Sequence, residues 1–196
     1  MPAEAGAIEM SSRSYPVPVK PIVFVGMMGA GKSAIGRRVA ERLNLDFMDA
    51  DNEIESAAGC SIPDIFERHG EEAFRDGERR VILRLLEGPV KVIATGGGAF
   101  MNEQTRAAIK ELSVSVWLRA DFETLWRRVS RRDNRPMLKT SDPQGTLKKL
   151  IDERYPTYSG ANLTVESTDG PRDATVDWVI DALEAYWRDR EAPKDD

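Results

Sequence analysis

Cysteine and histidine are nearly absent from this chain of 196 residues, which has one of each, Cys60 and His69. A single cysteine excludes an internal disulfide and a zinc site built from several cysteines. A single histidine argues against a histidine-rich metal centre and against a Ser-His-Asp catalytic triad. We therefore interpret both residues as structural, and the low cysteine content is compatible with a cytoplasmic enzyme.

The chain also lacks a long apolar run and an excess of basic residues. No apolar segment approaches the roughly 20 residues that a membrane-spanning helix needs, so we expect no membrane partner. The 28 Lys and Arg residues against 33 Asp and Glu give a net charge of −5, which argues against a general nucleic-acid-binding protein. A hydrophobic content of 41% is ordinary for a globular protein, and the length suits one domain with a full core.

The two ends of the chain differ in composition from its middle. Residues 1–20 hold three prolines but no apolar core of a signal peptide, and we expect a mobile leader there. Residues 191–196 are mostly charged and include Pro193, so we expect a frayed tail. A single domain would then span residues 21–190.

The most informative stretch is residues 26–33, GMMGAGKS, which fits the pattern G-x-x-x-x-G-K-S/T. Four apolar residues, 22–25, precede it, and an amphipathic helical pattern follows it. Such a loop at a helix N-terminus surrounds a phosphate chain with backbone N–H groups. The side chain of Lys32 can reach the β- and γ-phosphates of a nucleotide, and the hydroxyl of Ser33 can ligate Mg²⁺.

An ordinary glycine turn before a helix is the weaker interpretation, because a strand and a helix flank this loop in the required order. The pattern therefore predicts an ATP-binding loop. Its predicted ATP-binding residues are Gly29, Ala30, Gly31, Lys32, Ser33 and Ala34.

Strands and helices alternate along the chain. Apolar segments at residues 45–48, 90–94, 113–118 and 163–165 predict four further strands, separated by amphipathic helical patterns. One of these helices is expected to end at Pro156. The order predicts an α/β fold with a parallel sheet covered by helices on both faces. Ligands bind such sheets at the carboxyl ends of the strands.

Two polar or glycine-rich segments follow strands at that edge. Asp49 and Asp51 come after the second strand, and in an extended backbone both would point to one side. They could serve Mg²⁺ and a substrate hydroxyl, although a helix-capping aspartate in a polar loop is the alternative. Residues 96–98 are three consecutive glycines after the third strand. Their cost in backbone entropy favours close approach of a ligand over a plain flexible turn.

Arginines form the third notable group. Five of them lie within residues 127–135 of an acidic chain. We favour Arg135 and Arg128 as groups that stabilise a transferring phosphoryl group, and the others as a solvated helix end. An RNA-binding patch would need interleaved aromatic residues, which this segment lacks. For Arg75 and Arg154, which have acidic neighbours, the residues alone favour surface ion pairs.

Taken together, these residues closely resemble the shikimate kinases, from about Ile22 to Tyr158. The resemblance implies a P-loop fold of the nucleoside-monophosphate-kinase type, with a five-stranded parallel sheet in the order 2-3-1-4-5. It implies a substrate-binding segment at about residues 50–78 and a lid at about residues 129–144. It rests on these segments: Phe47–Asp51, Gly59–Ile62, Phe74–Arg75, Thr95–Ala99 and Arg135–Leu138.

The resemblance also implies roles in the acceptor site. Asp51 matches the aspartate that holds a ring hydroxyl of shikimate and accepts its proton, and Asp49 matches a residue that supports Mg²⁺ through water. Arg75 and Arg154 match the two arginines that bind the shikimate carboxylate, which reverses the interpretation as surface pairs. This is physically reasonable because guanidinium groups bind carboxylates through two parallel hydrogen bonds. The glycines Gly96, Gly97 and Gly98 match residues whose backbone approaches the same substrate.

On the nucleotide side, Arg135 matches the lid arginine that meets the phosphates, and Arg128 resembles an arginine that stacks on adenine. Some family members carry a polar nucleotide contact in the loop after the fifth strand. In this chain Asp169 stands approximately at that position and Arg172 is offset. The chain therefore departs from the family's pattern in this loop.

The implied reaction is phosphorylation of the 3-hydroxyl of shikimate by ATP, a step of aromatic amino acid biosynthesis. Lys32, Asp51 and Arg135 would be catalytic, Mg²⁺ the cofactor, ATP and shikimate the partners, and we expect a cytoplasmic monomer. Two alternatives stay open. Another small-molecule kinase can share the fold, but would not need the arginine pair. A nucleotide-binding protein without catalysis is disfavoured by the presence of Lys32, Ser33 and Asp51.

Overall fold

The structure, a computed structural model, describes residues 18–131, 138 and 140–191. Five parallel strands form one sheet in the order β2-β3-β1-β4-β5, which confirms the predicted fold and strand order. The strands are β1 (Ile22–Val25), β2 (Asp46–Asp49), β3 (Lys91–Ala94), β4 (Val114–Arg119) and β5 (Leu163–Glu166). The helices are α1 (Lys32–Leu43), α2 (Ala50–Ala58), α3 (Ile62–Leu86), α4 (Glu103–Leu112), α5 (Phe122–Val129), α6 (Pro143–Tyr158) and α7 (Arg172–Glu191).

The central strand β1 forms the middle of the core. All four of its residues are fully buried, and Val23 is paired with Ile93 on one side and with Ser115 on the other. A strand that has parallel neighbours on both sides and helices over both faces reads as a continuous apolar run. This is why the segment before the glycine loop does not alternate between apolar and polar residues.

Several helices begin at residues whose types favour the N-cap position. The side chains of Asn102 and Asp121 accept hydrogen bonds from the backbone N–H groups of Thr105 and Thr124, as expected for N-caps. Ser61 caps α3 in the same way. The sequence predicts two helices here, separated at Gly70. The structure confirms this: the backbone of Gly70 is non-helical, with φ +80° and ψ 176°, so α3 consists of two helical stretches joined at this residue.

The expected helix end at Pro156 is wrong. Pro156 lies inside α6, which ends at Tyr158. A proline removes only its own N–H from the helix and disturbs the turn before it, so one more pair of residues can follow. Tyr158 is fully buried, and its burial stabilises the last turn.

The predicted lid at residues 129–144 is described only in part. Val129 ends α5 and Pro143 begins α6, while residues 132–137 and 139, including Arg135, lie outside the described residues. The assignments of leader, lid and substrate-binding segment therefore stay predictions. None of the helices within the described ranges combines the length and the apolar character that crossing a bilayer requires.

Candidate active site

The glycine-rich loop lies between the carboxyl end of β1 and the first turn of α1. Gly29 and Gly31 have φ angles of +82° and +95°, which side chains other than glycine rarely adopt. A Cβ atom on Gly29 would also lie 2.8 Å from Cγ1 of Val129 on α5. The strand, loop and helix predicted from the sequence are therefore present, with glycine where the backbone needs it.

Lys32 is held at this loop. Its Nζ donates hydrogen bonds to the carbonyl oxygens of Gly26 and Met27, at 2.8 and 2.9 Å, and the residue is only 9% exposed. The ammonium group therefore sits beside the backbone that would surround a phosphate chain, with its charge shielded from bulk water.

Ser33 and Asp49 bring two oxygen ligands together. The Ser33 hydroxyl donates to Oδ2 of Asp49 at 2.6 Å, and the other carboxylate oxygen accepts from the backbone N–H of Asp51 at 3.1 Å. Asp49 is thus the N-cap of α2 and Asp51 lies in the first turn of that helix. The extended backbone expected through both aspartates is absent, because the helix begins between them, and Asp49 is the helix-capping aspartate of the alternative interpretation. Both aspartates nevertheless line the same cleft.

A hydroxyl and a carboxylate are the ligands that a hard divalent cation prefers. Within the described residues no cluster of three or more His, Cys, Asp or Glu side chains could hold a metal. The pair fits a cation that takes its remaining ligands from nucleotide phosphates and water, as Mg²⁺ commonly does.

The triple glycine is the point on which the candidate acceptor site converges. A Cβ atom on Gly96 would lie 2.8 Å from Oδ1 of Asp51, and one on Gly98 would lie 2.5 Å from Nη1 of Arg75. On Gly97 it would lie 3.6 Å from Nη1 of Arg154. None of the three glycines has a positive φ. At Gly96 and Gly98 a Cβ atom would instead meet the tips of the Asp51 and Arg75 side chains, whereas at Gly97 it would make ordinary contacts.

The surface-pair interpretation is wrong for Arg154, which is buried at 8% exposure. Its Nη1 donates to the carbonyl oxygen of Gly97 at 3.2 Å. Arg75 does form an ion pair with Glu71 at 3.4 Å, but its shorter pair, at 2.7 Å, is with the buried Glu78. Both guanidinium groups therefore lie at the triple glycine rather than in open solvent.

Glu78 is a site residue to which the sequence assigned no role. It is 2% exposed, and its Oε1 lies 3.1 Å from the Cβ position of Gly96. Burial raises the pKa of Glu78 above its usual range, the neighbouring Arg75 opposes that rise, and the charge of Asp51 adds to it. The signal in the sequence was the spacing of three residues from Arg75, which places both side chains on one helix face.

Tyr158 is a second site residue that the sequence did not indicate. Its hydroxyl donates to the same Gly97 carbonyl oxygen that Arg154 contacts. Burial raises the pKa of Tyr158 to about 12, so it remains a donor at any physiological pH. The sequence shows only a tyrosine near a helix end, and no local pattern indicates its partner.

Arg128 lies at the other end of the site, where it joins three segments. Its Nη1 donates to the carbonyl oxygen of Gly29 at 3.1 Å and to the hydroxyl of Ser167 at 3.0 Å, and its Nε lies 3.2 Å from Oδ1 of Asp169. Asp169 also pairs with Arg127. In the loop after β5, the residue at the position of a family nucleotide contact is therefore engaged with arginines of α5.

One cleft of about 810 Å³ joins the two ends. Arg154 contacts the carbonyl oxygen of Gly97, and Gly97 lines the cleft. At the end formed by the triple glycine, the cleft is lined by Asp51, Gly96 and Gly97. At the end formed by the glycine loop and the loop after β5, it is lined by Lys32, Ser33, Asp49, Arg127, Arg128, Thr168, Asp169, Gly170 and Arg172.

Comparisons with known proteins agree on one family. The family described as shikimate kinase matches residues 28–184. A shikimate kinase of Rhodopseudomonas palustris is 58% identical over 167 residues, which are 85% of this chain and 82% of that protein. One from Bradyrhizobium diazoefficiens is 60% identical over 165 residues, 84% of this chain and 80% of that protein.

A solved structure of a shikimate kinase from Acinetobacter baumannii, in complex with shikimate, superposes with a TM-score of 0.81. It is 36% identical in sequence and the match covers 89% of this chain and 97% of that one. The similarity therefore extends over nearly the whole fold.

Proposed function

Because the chain belongs to the shikimate kinase family, we propose that it transfers the γ-phosphoryl group of ATP to the 3-hydroxyl of shikimate, giving ADP and 3-phosphoshikimate. One observation carries this proposal: Asp51, Arg75 and Arg154 meet at the triple glycine, in or beside the cleft that holds Lys32. One base and two guanidinium groups suit a hydroxyl acceptor that also bears a carboxylate.

At the nucleotide end, the glycine loop and the N-terminus of α1 would hold the phosphates through backbone N–H groups. Lys32, already positioned by Gly26 and Met27, would stabilise the charge that spreads over the transferring group. We assign Gly29, Ala30, Gly31, Ser33 and Ala34 to the same ATP site, as the sequence pattern predicts.

At the acceptor end, Arg75 and Arg154 would bind the carboxylate of shikimate, with Glu78 holding Arg75 in place. Asp51 would accept the proton of the 3-hydroxyl. The bond between that oxygen and the γ-phosphorus forms as the bond from the γ-phosphorus to the bridging oxygen of ADP breaks. The backbone of Gly96, Gly97 and Gly98 would approach the same substrate.

An ATP-using kinase implies a divalent metal, and we propose Mg²⁺. Ser33 would be a direct ligand and Asp49 would act through water, which fits their 2.6 Å contact. When bound, the ion would neutralise charge on the phosphate oxygens and help to align them. We further propose that Arg135 meets the phosphates and that the protein is a cytoplasmic monomer, for which light scattering on a sizing column tests the oligomeric state.

The test of function is ADP release from Mg-ATP with and without shikimate. The matched acceptors are gluconate, a set of nucleoside monophosphates, and water alone. We expect strong stimulation by shikimate and background rates with the others. Stimulation by a different acceptor would keep the kinase fold but would contradict the roles assigned to Arg75 and Arg154.

ATP binding without turnover on any acceptor would instead support the non-catalytic alternative. Titration of ATP in the same buffer separates this outcome from an unfolded preparation. The assay therefore distinguishes the three functions that the sequence left open.

A further inference from the structure

Two side chains outside the glycine loop hold its carbonyl groups. The hydroxyl of Ser167, which follows β5, donates to the carbonyl oxygen of Ala30 at 2.8 Å. Nη1 of Arg128, near the end of α5, donates to the carbonyl oxygen of Gly29 at 3.1 Å. The same Nη1 donates to the Ser167 hydroxyl at 3.0 Å. Two successive peptide units of the loop are therefore fixed from one side.

These peptide units need such support because glycine flanks them. Gly29 and Gly31 have positive φ angles, and glycine adopts either sign of φ at almost no cost. A loop of this composition has little intrinsic preference for the direction of its carbonyl groups. External hydrogen bonds can supply that preference.

The direction of a carbonyl also sets the direction of the N–H in the same planar, trans peptide unit, which points the opposite way. With the Gly29 carbonyl held by Arg128, the N–H of Ala30 donates to the carbonyl of Met27 at 3.2 Å. With the Ala30 carbonyl held by Ser167, the N–H of Gly31 points away from Ser167. That N–H precedes Lys32 in the part of the loop that would contact phosphate.

Both supporting side chains are themselves held. Ser167 is 4% exposed, and its hydroxyl donates one hydrogen bond and accepts another, so its single donor is used. Arg128 donates to the carbonyl oxygen of Thr168 and, through Nε, to Asp169 at 3.2 Å. The contacts form a chain from Asp169 through Arg128 and Ser167 to the phosphate-binding loop.

We propose that Ser167 and Arg128 are positioning residues that orient the peptide units of the phosphate-binding loop at Gly29 and Ala30. Asp169 holds Arg128 in the required orientation. This role differs from stacking on adenine, because it acts on the phosphates whatever the base. The proposal deepens the proposed function and rests on it only in that the loop binds nucleotide phosphates.

The test is binding of two ligands by the full chain with Mg²⁺, measured by calorimetry: ADP, and inorganic triphosphate as a competitor that has no base. Ser167→Ala removes both hydrogen bonds of this hydroxyl, the one donated to the Ala30 carbonyl and the one accepted from Arg128. We therefore expect both ligands to bind about 3- to 10-fold more weakly. Arg128→Lys removes the guanidinium group, and we expect it to weaken the binding of triphosphate as well as the binding of ADP.

Ser113→Ala is the matched control. Ser113 is also buried, at 2% exposure, and its hydroxyl also donates to a backbone carbonyl, that of Ile109 at 2.5 Å. Ser113 lies just before the amino end of β4, away from the glycine loop. Urea unfolding of both serine variants measures any general loss of stability. Weaker phosphate binding in Ser167→Ala alone supports the positioning role.

Wild-type affinity of Ser167→Ala for triphosphate would overturn the proposal. If Arg128→Lys bound ADP more weakly but triphosphate with unchanged affinity, the positioning role of Arg128 would be overturned. Arg128 would then be a residue that contacts the base. Neither measurement needs an acceptor, so a failure of shikimate phosphorylation by the wild-type chain would be seen separately.

Discussion

The two ends of the cleft are formed by different chemical groups, backbone N–H groups at one end and side chains at the other. The nucleotide end is one continuous stretch, residues 26–33, whose chemistry comes mainly from backbone N–H groups and a helix N-terminus. The acceptor end is assembled from side chains on α2, α3 and α6 around the glycines that follow β3. A backbone site needs a local sequence pattern, whereas a side-chain site needs the fold to bring distant residues together.

The two ends also differ in how they handle charge. The glycine loop presents partial charges that are fixed by peptide geometry. The acceptor end holds four ionisable groups, of which Glu78 and Arg154 are buried, and such charges must be paired to be tolerated. Burial disfavours the charged form of Glu78 and raises its pKa. Substitutions at the acceptor end should therefore act through charge, and those in the loop through backbone geometry.

The largest expected effect is at Asp51. Asp51→Asn removes the proposed proton acceptor and keeps the size of the side chain, so kcat should fall by about 10²- to 10⁴-fold. The KM for ATP should change little, because the loop is untouched. Steady-state kinetics with varied shikimate and ATP measure both.

Asp177→Asn is the control for that change, since Asp177 is an exposed aspartate of α7 that pairs with Arg42. It should leave kcat at the wild-type value. Undiminished turnover in Asp51→Asn would remove Asp51 from the mechanism.

The next effect is a selective loss of shikimate binding. Arg154→Lys keeps the charge but loses the paired donors of the guanidinium group, and the KM for shikimate should rise about 10- to 100-fold. The KM for ATP should stay near wild type. Arg188→Lys, an exposed change on α7, is the control. An equal rise in both KM values would contradict the assignment of Arg154 to the acceptor end.

A pair of glycine substitutions compares the two ends directly. Gly29→Ala places a side chain at a φ of +82° and against Val129, so it should destabilise the fold by about 1–2 kcal/mol and weaken ATP binding. Gly98→Ala meets the tip of the Arg75 side chain. It should raise the KM for shikimate several-fold with little loss of stability.

Urea unfolding and the two KM values together decide this comparison. If Gly98→Ala raised the KM for ATP as much as the KM for shikimate, the division of the cleft into two ends would be wrong.

The smallest effect concerns the pH dependence of stability. The pKa of Glu78 is raised above the ordinary value of 4.5, so the folded state holds this proton more tightly than the unfolded chain does. The resulting stabilisation is fully present below pH 4.5 and is lost as the pH rises through the pKa of the folded state. The difference in free energy of unfolding between wild type and Glu78→Gln should therefore decrease across that interval.

Urea titrations at a series of pH values from 4 upward measure this difference. A difference that grew with rising pH would show that the ion pair with Arg75 outweighs burial. The result would then place Glu78 among ordinary paired carboxylates.

Much of the fold was predictable because its signals are local. The apolar run of β1, the capping residues Asn102 and Asp121, and the alternation of strands and helices all reflect interactions within a few residues. Pro156 shows the limit of such signals: a local rule predicted the end of a helix, and burial of Tyr158 extended it. Asp49 and Asp51 show it again, since α2 begins between them and Asp49 caps that helix.

By itself, the sequence determined the phosphate-binding loop, the strand order through its resemblance to a family, and the residue types of the acceptor site. Only the tertiary structure decided that Arg154 is buried, that Glu78 and Tyr158 belong to the site, and that Ser167 supports the loop across the cleft. The physical reason is the separation along the chain over which each kind of interaction acts. Peptide geometry and helix caps act between neighbours in sequence, whereas desolvation and ion pairing depend on which distant segments pack together.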